Sequence, residues 1–164
     1  MLSTVNKPWV SASTITRNGT GCEKIDLKKA RATGYKSLTY VTPDADVPTE
    51  FGLDATVSRY ASSAAATAFV TGIRKNVDTC NKSGLDAVTV KTTGSVAVGS
   101  IKGEAWRAAY DTGGGKVFTY RIGIASNGSS AVYIVYPVLK TLDISNSAFT
   151  EVLIRAAERS AAYK

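Results

Sequence analysis

Residues 116–138 read KVFTYRIGIASNGSSAVYIVYPV, and their alternation decides the fold class. Phe118, Tyr120, Ile122 and Ile124 alternate with Thr119, Arg121 and Gly123, and Val132, Ile134 and Tyr136 alternate with Tyr133 and Val135. A period of two puts successive side chains on opposite faces of a strand. Asn127-Gly128 between the two runs supplies the positive φ of a tight hairpin turn. The stretch is therefore an antiparallel hairpin.

Strand signals extend outward from it. DAVTV (86–90) and SVAVGSI (95–101) are separated by KTTG, and GEAWRAAYD (103–111) is followed by the tip TGGG, so residues 85–137 read as strands and hairpins. Further upstream, YKSLTYV (35–41) is rich in aromatic and β-branched residues, and WVSASTIT (9–16) suits a short extended segment. In FGLDATVSRYA (51–61), Leu53, Ala55 and Val57 alternate with Asp54, Thr56 and Ser58, the pattern of a half-buried strand.

Two segments change period. In SSAAATAFVTGIRKNVDTC (62–80), Ala66, Phe69, Val70, Ile73, Val77 and Cys80 form one helical stripe that turns Cys80 towards the core, and Ser62 or Ser63 can cap it. Gly72 weakens this helix and suggests a close approach there. In SAFTEVLIRAAERSAAYK (147–164), Phe149, Val152, Leu153, Ala156, Ser160 and Tyr163 form a second stripe. KIDLKKARATG (24–34) predicts a short third helix, capped by Asp26, with Ile25 and Leu27 inward and Gly34 ending it. The expectation is an α+β fold: an antiparallel sheet of about five to seven strands against two long amphipathic helices, plus one short N-terminal helix. The 164 residues suit a single domain, 1–164, with 1–8 as a loose arm.

Composition limits the chemistry. Hydrophobic residues make up 44% and charged residues 20%, an ordinary globular balance. There is no histidine, which removes the commonest general base and metal ligand and both Ser-His and Cys-His nucleophile pairs. The formal charge of +7 favours polyanionic partners, but the basic residues are scattered and read first as a solubility device. TGGGK lacks the rest of a phosphate loop, with Val117 where Ser or Thr should follow the lysine. Asp44, Asp46 and Glu50 lack the glycine and the other oxygen ligands of a calcium loop. No metal or cofactor is expected. No apolar run approaches the ~20 residues that span a bilayer.

Cys22 and Cys80 are the only cysteines. Their spacing is not that of a redox C-x-x-C pair, and a metal site would need ligands that neither has nearby. Buried free thiols and a bridge both stay open. A bridge closing so long a loop would stabilise the fold by about 4 kcal/mol in the chain-entropy model and argue for an oxidising, extracytoplasmic compartment.

Trp106, Tyr110, Tyr120, Tyr133 and Tyr136 sit on strands, with Arg107 and Arg121 among them. Core packing is the plain reading. The functional reading is a cleft in which Trp106 and Tyr110 offer flat surface and Arg121 a planar donor fork, with Tyr133 across the hairpin on the side of Arg121. The glycine-rich signature of an RNA-binding sheet strand is absent, so nucleic acid is not the expected partner.

The order of features resembles the PknH-like extracellular sensor domains of actinobacteria. KPWVSA is followed by GTGCEKIDLKKARATG, then LDATVSRYA, then the alanine-rich helix ending in Cys80, then TYRIGIASNGSSAVYIVYPV and the closing FTEVLIRAAERSA. The resemblance covers nearly the whole chain. It implies that Cys80 is disulfide-bonded, with Cys22 as the one available partner, and that the fold carries a ligand cleft. It brings no catalytic residues. The expected function is thus a non-enzymatic, extracytoplasmic ligand-sensing or ligand-binding domain, for an unknown small molecule or cell-envelope component. The alternative is a secreted or cell-wall-associated protein that binds a polyanion or a protein through its basic surface. The expected location is extracellular or cell-surface, as a secreted protein, a lipoprotein or a kinase ectodomain, with a signal peptide, lipid anchor or membrane helix preceding the chain.

Overall fold

The computed structural model describes residues 10–13, 20–41, 51–80, 88–139 and 142–162. The expected arm (1–8), the Asp44, Asp46, Glu50 loop and Tyr163 lie outside the described residues.

Among the described residues, seven antiparallel strands form one sheet: β1 (Val10–Ser13), β2 (Gly34–Val41), β3 (Gly52–Arg59), β4 (Val88–Val98), β5 (Ile101–Asp111), β6 (Val117–Asn127) and β7 (Ser130–Val138). Their order is β1-β2-β3-β7-β6-β5-β4. Two helices among the described residues, α1 (Ser63–Cys80) and α2 (Asn146–Ser160), follow β3 and β7. The fold is α+β. From β3 the chain crosses in α1 to the far edge of the sheet. It then returns as the meander β4–β7, which brings β7 beside β3.

The two helices cover opposite faces. On one face α1 buries Ala66, Phe69, Val70, Ile73 and Val77 against Trp106, Ala108, Ile122, Ile124, Tyr133 and Val135. On the other α2 buries Phe149, Leu153 and Ala157 against Ala105, Ala125, Val132, Ile134 and Tyr136. A sheet with both faces covered needs apolar residues at every position of its central strands. β7 accordingly runs buried from Ser130 to Tyr136.

The α1 stripe is the one the sequence predicts, including Cys80, and Ser62 Oγ accepts from the Ala65 amide at its start. Gly72, however, is exposed, with open space around it, and mediates no close approach. Of the two helices, it is α2 that lies close against glycines. A Cβ on Gly123 would stand 3.0–3.2 Å from Ile134, Leu153 and Phe149, and one on Gly94 would stand 2.6 Å from Thr150 Oγ1. In α2, Ala157 rather than Ala156 completes the buried stripe, and Val152 is half-buried.

Three further expectations change. First, KTTG does not separate two strands: β4 is continuous, with its register shifting between Thr92 and Gly94. One extra residue exchanges the faces. Thr92 pairs with Trp106 on the α1 face, whereas Gly94 pairs with Ala105 on the α2 face. Second, the short N-terminal helix is a single turn. Asp26 Oδ1 accepts from the Lys29 amide at 2.8 Å, as a cap should, and Ile25 and Leu27 are buried. The turn then closes at once, with Ala32 N–H bonded to Leu27 O, Arg31 N–H bonded to Lys28 O, and Arg31 at φ 57. That is a helix-ending motif with arginine in the left-handed place where glycine is usual, three positions before Gly34. Third, β3 is not half-exposed. Asp54, Thr56 and Ser58 are buried on the α1 face.

Among the described residues no helix is long and apolar enough to cross a membrane.

Candidate functional site

Cys22 and Cys80 are joined, with Cα atoms 5.4 Å apart across 58 positions. The bridge fixes residues 20–33, a strap lying on the α1 face, to the last residue of α1. Next to it, Glu23 enters the core with no exposed surface. Its carboxyl accepts Tyr133 Oη at 2.7 Å, and the amide and hydroxyl of Thr20 at 3.0 Å. Its carbonyl accepts Asn76 Nδ2 of α1 at 2.8 Å. A buried carboxyl needs such partners, because leaving it without them would cost several kcal/mol (on the order of 3–5).

The network reaches the surface through Tyr110. Its hydroxyl lies 2.6 Å from Thr20 Oγ1. The Tyr110 ring is half-buried and meets Tyr120 edge to face, with centroids 5.8 Å apart. Phe118 pairs with Tyr110 across the strands and is 52% exposed. The three rings share one face at the end of β5 and the start of β6 and make an aromatic shelf beside the hydrogen bonds of Thr20. Deeper on the same face, Thr39 donates to Asp54 at 2.6 Å and Ser37 bonds Thr56 at 2.7 Å.

Burial dominates the tyrosine titrations. It pushes Tyr110 up, and it holds Tyr133 well above the ordinary phenol value, helped by the neighbouring Glu23 carboxyl. Tyr60, against Phe69, is pushed up to about 12 by burial. All three phenols therefore stay protonated donors across the physiological range.

Of the four residues proposed from sequence, three share this face. Trp106 is wholly buried core, its Nε1 without a partner among the described residues, so it offers no surface to a ligand. Tyr133 is buried and spent on Glu23, and Tyr110 is the accessible member. Arg121 lies on the opposite face. The turn is Gly128-Ser129, so Asn127 pairs with Ser130 and Arg121 with Tyr136. A two-residue loop pairs odd positions with even ones, so residues 121 and 133 must face opposite ways. Arg121 instead donates to Asp143 at 2.6 Å and to Asn146 at 2.7 Å, and Arg107 donates to the other oxygen of Asp143 at 2.7 Å. This is a brace for the entry to α2. Burial alone would push the Asp143 carboxyl up, but the two guanidinium groups outweigh it and hold it below the usual carboxylate range.

Thr20, Glu23 and Phe118 were not singled out from sequence. The signal for Glu23 was its place beside Cys22, since a bridge there carries its neighbour inward. Among the described residues no three cysteine, aspartate or glutamate side chains gather as a metal site. Compared with protein-family models, curated proteins and solved structures, the chain matches none.

Proposed function

We propose that the chain is an extracytoplasmic, non-enzymatic ligand-binding domain, and that its site is the aromatic shelf of Tyr110, Phe118 and Tyr120. Membership of the PknH-like sensor domains is part of the same proposal. The observation that carries it is the shelf's construction: exposed Phe118 and half-buried Tyr110 and Tyr120 stand beside a hydrogen-bond chain from Tyr110 through Thr20 to the sealed Glu23. Such a chain fixes the Tyr110 hydroxyl in one orientation before any ligand arrives, and prior ordering of a binding group lowers the cost of binding. Rings beside an oriented hydroxyl suit a ring-bearing, hydroxyl-rich molecule such as a cell-envelope saccharide. The Cys22–Cys80 bridge supports the compartment, since structural disulfides persist where the surroundings oxidise. We read the carboxyl of Glu23 as structural, because it is sealed from solvent and already holds its donors.

Saturation-transfer NMR with a panel of envelope-derived saccharides tests this reading. Binding should appear in the wild type and disappear in Phe118→Ala/Tyr120→Ala. A panel that never binds, or binding unchanged in that variant, would reject the site.

A further inference from the structure

The strap has an outer side as well as an inner one. Lys24, Lys28, Lys29 and Arg31 are all exposed there, against the single exposed carboxyl of Asp26. Asp26 also uses one oxygen to cap the Lys29 amide. A large share of the formal +7 is thus gathered on eight consecutive residues.

Two of the four cations stand where the backbone resists them. Lys24 has φ 50 and Arg31 has φ 57, the only non-glycine residues with positive φ among those described. Glycine takes such positions freely, whereas a side chain there costs about 1–2 kcal/mol. The strap is nevertheless firmly held. It is anchored by the bridge to Cys80, by Glu23 on Tyr133, by burial of Ile25 and Leu27, and by Thr33 bonding Arg59 O. The anchors therefore hold Lys24 and Arg31 at fixed places on the strap.

From this geometry we propose that the outer side of residues 24–31 is a docking surface for a soluble, phosphate-bearing polymer. The cations are spread over eight residues of the turn, so a small anion would meet few of these solvated charges at once and gain little. A polymer meets several at once and releases counterions from each. A bilayer fits less well, because the apolar residues of the turn, Ile25 and Leu27, are buried 7% and 8% exposed and leave nothing to enter lipid. This surface goes beyond the aromatic shelf and does not depend on it.

The test uses inorganic polyphosphate as the probe, with anionic phosphatidylglycerol vesicles as a second arm. Lys24→Gln/Lys28→Gln/Lys29→Gln should weaken polyphosphate binding about tenfold or more and flatten its salt dependence. The control variant Lys36→Gln/Lys91→Gln/Lys102→Gln changes the net charge equally at exposed positions on β2, β4 and β5, and should stay within about twofold of wild type. Circular dichroism of both variants checks that the fold is kept, and Arg31→Gln provides an independent single-site reading if the triple variant is unfolded. Equal losses in the two triple variants, unchanged binding in the strap variants, or binding to vesicles but not to polyphosphate would each overturn the proposal.

Discussion

The two faces of the sheet are held by different physics. The α2 face is apolar packing: Phe149, Leu153, Ile134 and Tyr136 have no exposed surface, and the helix rides on Gly94 and Gly123. Its ionic contact, Arg121 and Arg107 on Asp143, stands at the entry to the helix. The α1 face mixes its apolar core with buried Glu23, Asp54, Thr56 and Tyr133, and a disulfide secures the strap that supplies Glu23. Apolar contact is tolerant of small shifts, while a buried carboxyl is tolerable only when its donors stay in place. The covalent anchor thus stands on the face that buries the Glu23 carboxyl, and the same face carries the aromatic shelf.

The largest expected effect falls on the α2 face. Phe149→Ala should destabilise by about 3–5 kcal/mol, because α2 rests against glycines and cannot easily collapse into the void. Urea unfolding measures it, and a loss below about 1 kcal/mol would mean the helix packs loosely. Next comes the bridge. Cys22→Ala/Cys80→Ala should cost about 2–4 kcal/mol, and amide exchange should show the strap opening before α2 does. Simultaneous opening of both would erase the contrast between the faces.

pH separates the faces by sign. Asp143 has a folded pKa below its unfolded value, so its stabilisation is complete above about pH 4 and is lost as pH falls through the folded value. Tyr60, Tyr110 and Tyr133 have raised folded values, so they cost nothing below about pH 10 and destabilise the fold as pH rises beyond it. Acid should therefore loosen the α2 entry, and alkali the α1 face. Phenolate absorbance should show Tyr60, Tyr110 and Tyr133 ionising late, together with unfolding. Early, independent ionisation of these three would contradict it.

The smallest effect has the opposite sign. Arg31→Gly should stabilise by up to about 1 kcal/mol, since relief of the left-handed strain outweighs the flexibility glycine adds to the unfolded chain. A loss of stability would show that the Arg31 side chain supports the fold, and would weaken the case for the polymer surface.

Local periodicity made much of this fold legible. The α1 stripe of Ala66, Phe69, Val70, Ile73, Val77 and Cys80 is buried to the last residue, because a helix face depends only on spacing within one segment. The extended segments were found for the same reason. Which helix lies on which face depends on the path between strands, and no residue signals it. The bulge near Thr93 was hidden because one extra residue in KTTG looks like a turn. The Arg121 placement could have been read: a two-residue loop settles its parity against Tyr133 without any coordinates. Glu23 was harder to read, since a glutamate in a basic segment looks solvated and only its place beside Cys22 pointed inward.

The central claim is that Glu23 and Tyr133 act as a pair that ties the strap to the sheet. A double-mutant cycle on Glu23→Ala and Tyr133→Phe tests it most directly. Each single change should destabilise by about 1–3 kcal/mol, and the double variant should cost less than their sum by about 1 kcal/mol or more, the coupling of one buried hydrogen bond. Strict additivity would show that the two side chains do not act on each other. The strap would then be held by its bridge, its apolar residues and its other hydrogen bonds.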